Sequence, residues 1–221
     1  NFPRKWADDA KTFQPFTPED PEFYTTDAFT DHALTYLDEL GSGDDPFFLY
    51  VAYTAPHYPL QAPAEDIAKY RGKYLKGWDK LREERYARMI DMGIIDKNWP
   101  LSPRDSRVPD WRDVEKKEAW ALDRLKTNHE RGLKWEDAKS RDNWDLKMAV
   151  YAARVDRMDQ NIGRIIDKLE AQGKLDNTLI IVTSDHGNPL PRSKCNLYDG
   201  GTQVPFAVRW PGQIPAGRTV D

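Results

Sequence analysis

A chain of 221 residues holds one substantial core or at most two small domains, and 39% hydrophobic with 32% charged residues is a globular rather than a disordered composition. The 37 acidic and 33 basic residues leave a formal charge of −4 with no free-standing Lys/Arg block, so nucleic acid is excluded as the expected partner. No apolar run approaches the ~20 residues of a membrane-spanning helix, and a lone cysteine, Cys195, rules out an internal disulfide. The chain starts at Asn1 without methionine or targeting segment and stops just after Trp210-Pro211-Gly212, so the expectation is a segment of something longer.

Residues 1–24 are rich in proline and aromatics without periodicity and read as an irregular lead-in. Thr25-Thr26-Asp27 offers N-cap oxygens, and Phe29, Ala33, Leu37 and Leu40 recur at helical spacing until Gly41-Ser42-Gly43, which predicts a helix between them. Phe47-Phe48-Leu49-Tyr50-Val51-Ala52 is a continuous aromatic and β-branched run, as expected of a strand buried on both faces. It ends at Tyr53-Thr54-Ala55-Pro56-His57-Tyr58-Pro59, where two prolines oppose both helix and ladder and place His57 in a stiff loop.

From Pro63 to about Gly93 the chain reads as charged helix, its sticky side marked by Ile67, Tyr70, Tyr74, Trp78, Leu81, Tyr86, Met89 and Ile90. Pro100 to Pro109 reads as loop, and Trp111 to Trp144 as charged, broken helix. A long helix follows, with Met148, Tyr151, Val155, Met158, Ile162, Ile165, Ile166 and Leu169 at spacings of three and four up to Gln172-Gly173. Leu179 to Thr183 is a second buried-strand pattern, and Val204 to Val208 a third apolar run. Strand, helical excursion, strand is the grammar of an α/β fold, with a central, mostly parallel sheet flanked by helices.

In such sheets ligand sites form beyond the carboxyl ends of the strands. His57 follows the first strand, and Asp185 and His186 follow the second. A carboxylate beside an imidazole suits a divalent cation, Mn²⁺ or Zn²⁺ directly, and Ca²⁺ or Mg²⁺ if oxygens complete the shell. Gly187 would let the backbone approach the ion. The plainer alternative is that Asp185 caps a turn and His186 is partly exposed, and for Asp-His-Gly alone it is the better supported. Lys194, nine positions on, can return its ammonium to the same crevice to meet an anion, or lie solvated as surface lysines usually do. Asp156 and Asp159 stand three apart on the long helix, a spacing of salt bridges rather than of a catalytic carboxylate pair.

In chain order, Tyr53 through Leu60, the Asp156-Arg-Met-Asp-Gln-Asn-Ile-Gly163 stretch, Thr183-Ser-Asp-His-Gly187, and Lys194 with Tyr198-Asp-Gly-Gly-Thr-Gln-Val-Pro-Phe206 and Trp210-Pro-Gly212 resemble the middle of a type I sulfatase of the arylsulfatase kind. The resemblance runs from about Phe23 to Asp221. It implies an alkaline-phosphatase-like α/β fold of which residues 1–221 are part of a single catalytic domain, with 123–145 as a helical insertion of charged residues. It implies Asp185 and His186 as metal ligands, the family's usual ion being Ca²⁺ with Mg²⁺ or Mn²⁺ as alternatives. His57 and Lys194 would contact the sulfate group, Lys194 also reaching the nucleophile and His57 assisting the leaving group. Sulfated aryl or carbohydrate molecules are the implied substrates, and a periplasmic, secreted or lysosomal setting goes with them.

The sequence also departs from that family. Its nucleophile is a formylglycine made from the Cys of a Cys-x-Pro-Ser-Arg motif, beside an early Asp-Asp pair of metal ligands and a later Lys-x-His segment; neither that motif nor Lys-x-His occurs here, so no Asp-Asp pair stands beside such a nucleophile. Cys195 precedes Asn196 and Leu197, and no Cys-His activating pattern surrounds it. The expectation is that the formylglycine belongs to a parent protein and that these 221 residues alone turn over no sulfate ester. The loop ahead of Lys194, at Pro189-Leu190-Pro191-Arg192, reads as trimmed, which leaves the placement of Lys194 open. Two other readings stay open: a phosphodiesterase or phosphonate hydrolase of the same superfamily, and a non-catalytic relative that binds sulfated glycans. Oligomeric state is not legible.

Overall fold

The structure, a computed structural model, describes residues 5–13, 23–41, 43–106, 108, 110–113, 141–188 and 193–218. The readings of 1–4, of 14–22, of 114–140 and of 189–192 lie outside the described residues. The chain divides into two compact units, one of residues 1–31 and 50–162, the other of 32–49 and 163–221.

The first unit opens with a two-stranded antiparallel ladder, β1 (Trp6–Asp8) against β2 (Lys11–Phe13). Trp6 is its anchor: its ring stacks on Phe29 at 4.9 Å and meets Phe13 and Phe23 edge-on. Phe29 lies in α1 (Thr25–Leu40). The buried stripe of this helix is Thr26, Thr30, Ala33 and Leu37, spaced four, three and four, whereas Leu40 is two-thirds exposed. Its stripe is thus rotated from the apolar one expected, and threonine can occupy it because the Thr30 hydroxyl donates to the Thr26 carbonyl at 3.1 Å. Asp27 does not serve as a simple cap. Its carboxylate receives two nitrogens of Arg157, at 2.9 and 2.8 Å, and the amide of Asn161 at 2.6 Å.

The expected continuous helix from Pro63 to Gly93 is two helices, α2 (Ala64–Ala68) and α3 (Trp78–Asp91). A buried carboxylate organises the turn between them. Asp145, fully enclosed, accepts from the backbone N–H groups of Gly72 and Tyr74 at 2.8 and 2.9 Å and from Arg71 at 2.6 Å. Donors that a continuous helix would satisfy internally are satisfied here by a side chain from another element. Trp78 packs edge-on between Trp111 and Trp144, and the Trp111 indole donates to the Leu75 carbonyl at 2.9 Å.

Asp145 belongs to α4 (Arg141–Ala171), which starts seven residues before the first apolar position of the predicted helix. Within the first unit it buries Asn143, Asp145, Ala149, Ala153, Arg154 and Asn161, a face of small and polar residues. Met148, Tyr151 and Val155, expected inside, are each more than a third exposed and border a shallow groove of about 460 Å³ with Tyr70 and Tyr74. Asp156 is an ion-pair partner, as the salt-bridge reading expects, but its partner is Lys69, 87 positions away and outside the helix, at 3.0 Å. These contacts outweigh the desolvation that opposes ionisation and hold its carboxyl below the ordinary carboxylate value.

In the second unit Leu37 on α1 and Leu169 on α4 are buried, and the Gln172 amide donates to the Leu37 carbonyl at 3.1 Å. α4 ends where expected: Gly173, at φ +68°, lets the Lys174 N–H return to the Leu169 carbonyl at 2.9 Å. Then come β3 (Ile180–Thr183), the single turn α5 (Asp199–Thr202) and β4 (Phe206–Arg209). β3 and β4 pair antiparallel, Ile180 opposite Arg209 and Thr183 opposite Phe206.

Both strand expectations need correction. Residues 46–54 are extended but make no ladder among the described residues, and exposure alternates along them, Phe48 at 92% and Tyr50 at 78% between half-buried neighbours. β3 is exposed from Ile181 onward. A strand is buried on both faces only when layers cover both, and the described residues supply no such pair of layers here. Helices alternating with strands stand as expected of an α/β chain, but the described strands form two small two-stranded sheets, and the expected central parallel sheet is not among the described pairings, which are antiparallel.

Candidate functional site

In the first unit the His57 loop leaves the extended segment and turns through cis Ala55–Pro56 and Tyr58–Pro59 bonds, closed by the His57 N–H to the Thr54 carbonyl at 2.8 Å. His57 is exposed, and its Nδ1 lies 2.6 Å from the carbonyl oxygen of Tyr58. Only a protonated Nδ1 makes that contact favourable, because a carbonyl oxygen can only accept. In the neutral ring Nε2 therefore carries the lone pair and faces outward as acceptor; in the charged ring it donates.

Side chains that the sequence reading did not single out hold this loop at three points. Upstream, the Tyr53 hydroxyl meets Thr30 Oγ1 at 2.7 Å; since that oxygen already donates to Thr26, Tyr53 is the donor. Downstream, Arg154 Nη1 donates to the Pro59 carbonyl and the Tyr24 hydroxyl donates to the Gln61 carbonyl at 2.9 Å. Burial raises the Tyr24 pKa above the usual phenol value and lowers that of Arg154 below the usual guanidinium value. No local motif announces such partners, because they lie 23 to 95 positions away in sequence.

In the second unit Asp185 and His186 follow β3 directly. His186 Nε2 stands 3.3 Å from Asp185 Oδ2, and its Nδ1 lies 2.8 Å from the Gly187 carbonyl. The same tautomer logic puts the Nε2 lone pair against the carboxylate oxygen. Two electron-rich atoms at that separation are stabilised by a proton or a cation between them, so this pair fits part of a divalent-cation shell. It is not a whole shell: among the described residues no group of three or more His, Cys, Asp or Glu side chains comes together.

The Lys194 loop is tied to the Asp185 loop through the backbone. The Gly187 N–H donates to the Gly201 carbonyl at 3.1 Å, and the Lys194 N–H to the Asn188 carbonyl at 3.0 Å. Gly187 is required for this, since a Cβ there would collide with the Gly200 carbonyl. Lys194 is half-buried, beside buried Ser193. Cys195 is exposed, with a left-handed φ of +65°. So Asp185, His186 and Lys194 sit on loops of one unit bonded to each other, and His57 belongs to the other unit.

Comparison with known proteins agrees with the motifs. The family described as Sulfatase matches residues 3–221. An uncharacterized sulfatase of Schizosaccharomyces pombe is 37% identical over 166 residues, covering 75% of this chain and 26% of that protein. The arylsulfatase of Klebsiella aerogenes is 29% identical, over 76% of this chain and 31% of its own length. The N-acetylglucosamine-6-O-sulfatase of Bacteroides thetaiotaomicron is 28% identical, over 89% of this chain and 40% of its own. The chain thus spans between about a quarter and two fifths of the length of these three relatives. No helix among the described residues is long and apolar enough to cross a membrane.

Proposed function

The chain belongs to the sulfatase family, and we propose that it is part of one catalytic domain that hydrolyses sulfate esters of aryl or carbohydrate substrates with a bound divalent cation. The carbohydrate arm of this proposal is supported by the relative that is an N-acetylglucosamine-6-O-sulfatase, the aryl arm by the arylsulfatase. In this reading the extended segment 46–54 is a strand of that domain, as the alternating exposure from Phe47 to Tyr53 supports, and the domain's sheet is mostly parallel.

The observation that carries the proposal is the Asp185–His186 pair, Oδ2 and Nε2 3.3 Å apart at the exit of β3, on a loop bonded to that of Lys194. Asp185 and His186 would hold the cation, with Ca²⁺ the first expectation and Mg²⁺ or Mn²⁺ behind it. When bound, it supplies positive charge to the sulfuryl oxygens and lowers the cost of the charge they gain in transfer. Lys194 presents its ammonium to the same oxygens. His57, with Nε2 directed out of its loop, binds the ester and in its charged form gives a proton to the departing alkoxide oxygen.

The test is binding first and turnover second. Asp185→Asn with His186→Ala is expected to abolish Ca²⁺ binding measured by calorimetry, at an unchanged melting temperature. With no Cys-x-Pro-Ser-Arg motif among the 221 residues, this chain is expected to give no turnover of a nitrophenyl sulfate. Turnover by it, or undiminished Ca²⁺ binding in the double variant, overturns the assignment of roles. Faster cleavage of a phosphate diester than of a sulfate ester, in a protein that joins this chain to its nucleophile, would replace sulfuryl by phosphoryl chemistry.

A further inference from the structure

We infer that Arg154 and Tyr24 are positioning residues for His57, a built clamp that fixes the direction and tautomer of its imidazole; this rests on the reading of His57 as a sulfate contact. The geometry lies wholly within the first unit. Arg154 Nη1 holds the Pro59 carbonyl and Tyr24 the Gln61 carbonyl, two and four residues beyond His57, while Thr30 holds the Tyr53 hydroxyl four residues before it. Among the described residues the ring's hydrogen bond is the short Nδ1 contact to the Tyr58 carbonyl, so whatever fixes the backbone of residues 58 and 59 orients the imidazole.

Arg154 is costly for a structural role alone. It is 91% buried by its 9% relative exposure, its Nε has no hydrogen-bond partner, and among the described residues no carboxylate pairs with it. A buried guanidinium that satisfies one carbonyl and leaves a donor idle loses more hydration than it recovers. An apolar residue of similar length would fill the space at lower cost. What an apolar residue could not do is grip the Pro59 carbonyl, or place an uncancelled positive charge behind a loop that meets an anion.

The clamp also makes chemical sense of the tautomer. A neutral imidazole free to rotate would expose either nitrogen, and only one of them can serve an ester oxygen. Locking Nδ1–H onto the Tyr58 carbonyl leaves Nε2 as the single outward atom in every turn of the cycle. Positioning of this kind removes the orientational freedom that otherwise opposes the reaction.

The experiment compares the 221-residue chain with Arg154→Met, Arg154→Lys and Tyr24→Phe, reading ¹⁵N imidazole shifts of His57, amide exchange across 53–61, and the response of the His57 ring to inorganic sulfate. Wild type is expected to show one tautomer, Nδ1 protonated, at a pH where the ring is neutral. Arg154→Met is expected to average the two nitrogens, to speed amide exchange in the loop, and to weaken the sulfate response by about tenfold. Arg154→Lys restores a donor and is expected to recover most of the single-tautomer signature; a purely space-filling role would not predict that. Should Arg154→Met fail to fold, Tyr24→Phe, which removes one hydroxyl and no volume to speak of, is expected to show the same changes to a smaller degree. A single unchanged tautomer in every folded variant overturns the clamp. If instead wild-type His57 does not respond to sulfate yet its tautomer is lost in the variants, the clamp stands and the sulfate role of His57 falls.

Discussion

The His57 loop and the Asp185–Lys194 loops carry the same kind of residue at the same place, just past an extended segment, yet they are held in different ways. The first is gripped by side chains from elements far away in sequence, Tyr24, Thr30 and Arg154. The second is stitched by its own backbone, Gly187 to Gly201 and Lys194 to Asn188, and its carboxylate is 83% exposed. Side-chain clamps tolerate backbone substitution but fail when one distant residue changes. Backbone stitching tolerates neighbouring side-chain changes but depends on a glycine.

This contrast can be broken, and the largest effect should appear in chemistry. Where this chain is joined to a nucleophile, His57→Ala and Lys194→Ala are each expected to lower sulfate-ester turnover by about 10²–10³-fold, with the melting temperature unmoved because neither side chain is in a core. Steady-state kinetics on an aryl sulfate checks it; a loss below about threefold in either variant would remove that residue from the mechanism.

Next comes the buried carboxylate behind the first unit. Asp145→Ala takes the acceptor from the Gly72 and Tyr74 N–H groups, and leaves Arg71 only its contacts with Asp142; it is expected to destabilise by about 3 kcal/mol, read as a lower urea midpoint. Asp185→Asn, on the exposed loop, is expected to change stability by less than about 0.5 kcal/mol. If the two variants unfold at similar urea concentrations, the distinction between an enclosed and an open carboxylate has no energetic content.

Gly187→Ala should then separate the two modes of support. The clash with the Gly200 carbonyl forces the Asp185–His186 turn to move, and about a tenfold loss of divalent affinity is expected, measured by terbium luminescence. His57 belongs to the other unit, so its tautomer is expected to be untouched.

The smallest effect concerns pH. The Asp156 pKa is depressed in the folded chain, mainly by its bond to Lys69 once desolvation is overcome. A depressed carboxyl stabilises the fold above the unfolded-state value of about 3.9 and loses that contribution as pH falls through the folded value. Asp156→Asn is accordingly expected to flatten the acid limb of stability against pH below about 4 by lowering neutral-pH stability by the same small amount, while stability at the acid end is unchanged; the amount is small because Lys69 is half exposed. An acid limb as steep as wild type would show that Asp156 is not the group titrating.

How much of this was legible beforehand differs by element. The stop of α4 at Gly173 could be read directly, because a left-handed C-terminal residue is a local requirement. The buried face of α4 could not. Met148, Tyr151 and Val155 form the apolar stripe, but Asp145, Ala149, Ala153 and Arg154 form the enclosed one, because each polar member has partners from elsewhere in the first unit or fits where a larger residue would not. The segment 47–52 was legible as extended chain, but that it makes no ladder among the described residues was not, since pairing depends on a neighbour that composition does not name. Likewise His57, Asp185, His186 and Lys194 could be picked out by residue type and position, whereas the bonds holding their loops could not.

Sequence alone determined the residues proposed to carry the chemistry, the family motifs around them, and where glycine and proline end helices or bend loops, because these follow from local sterics and from side-chain chemistry that any fold must respect. Tertiary structure decided which faces are buried, that the Asp185 and Lys194 loops are bonded to one another, and that Arg154 and Tyr24 reach the His57 loop. Those outcomes depend on which distant groups supply hydrogen-bond partners and cover, and a partner tens of positions away leaves no mark on the local pattern.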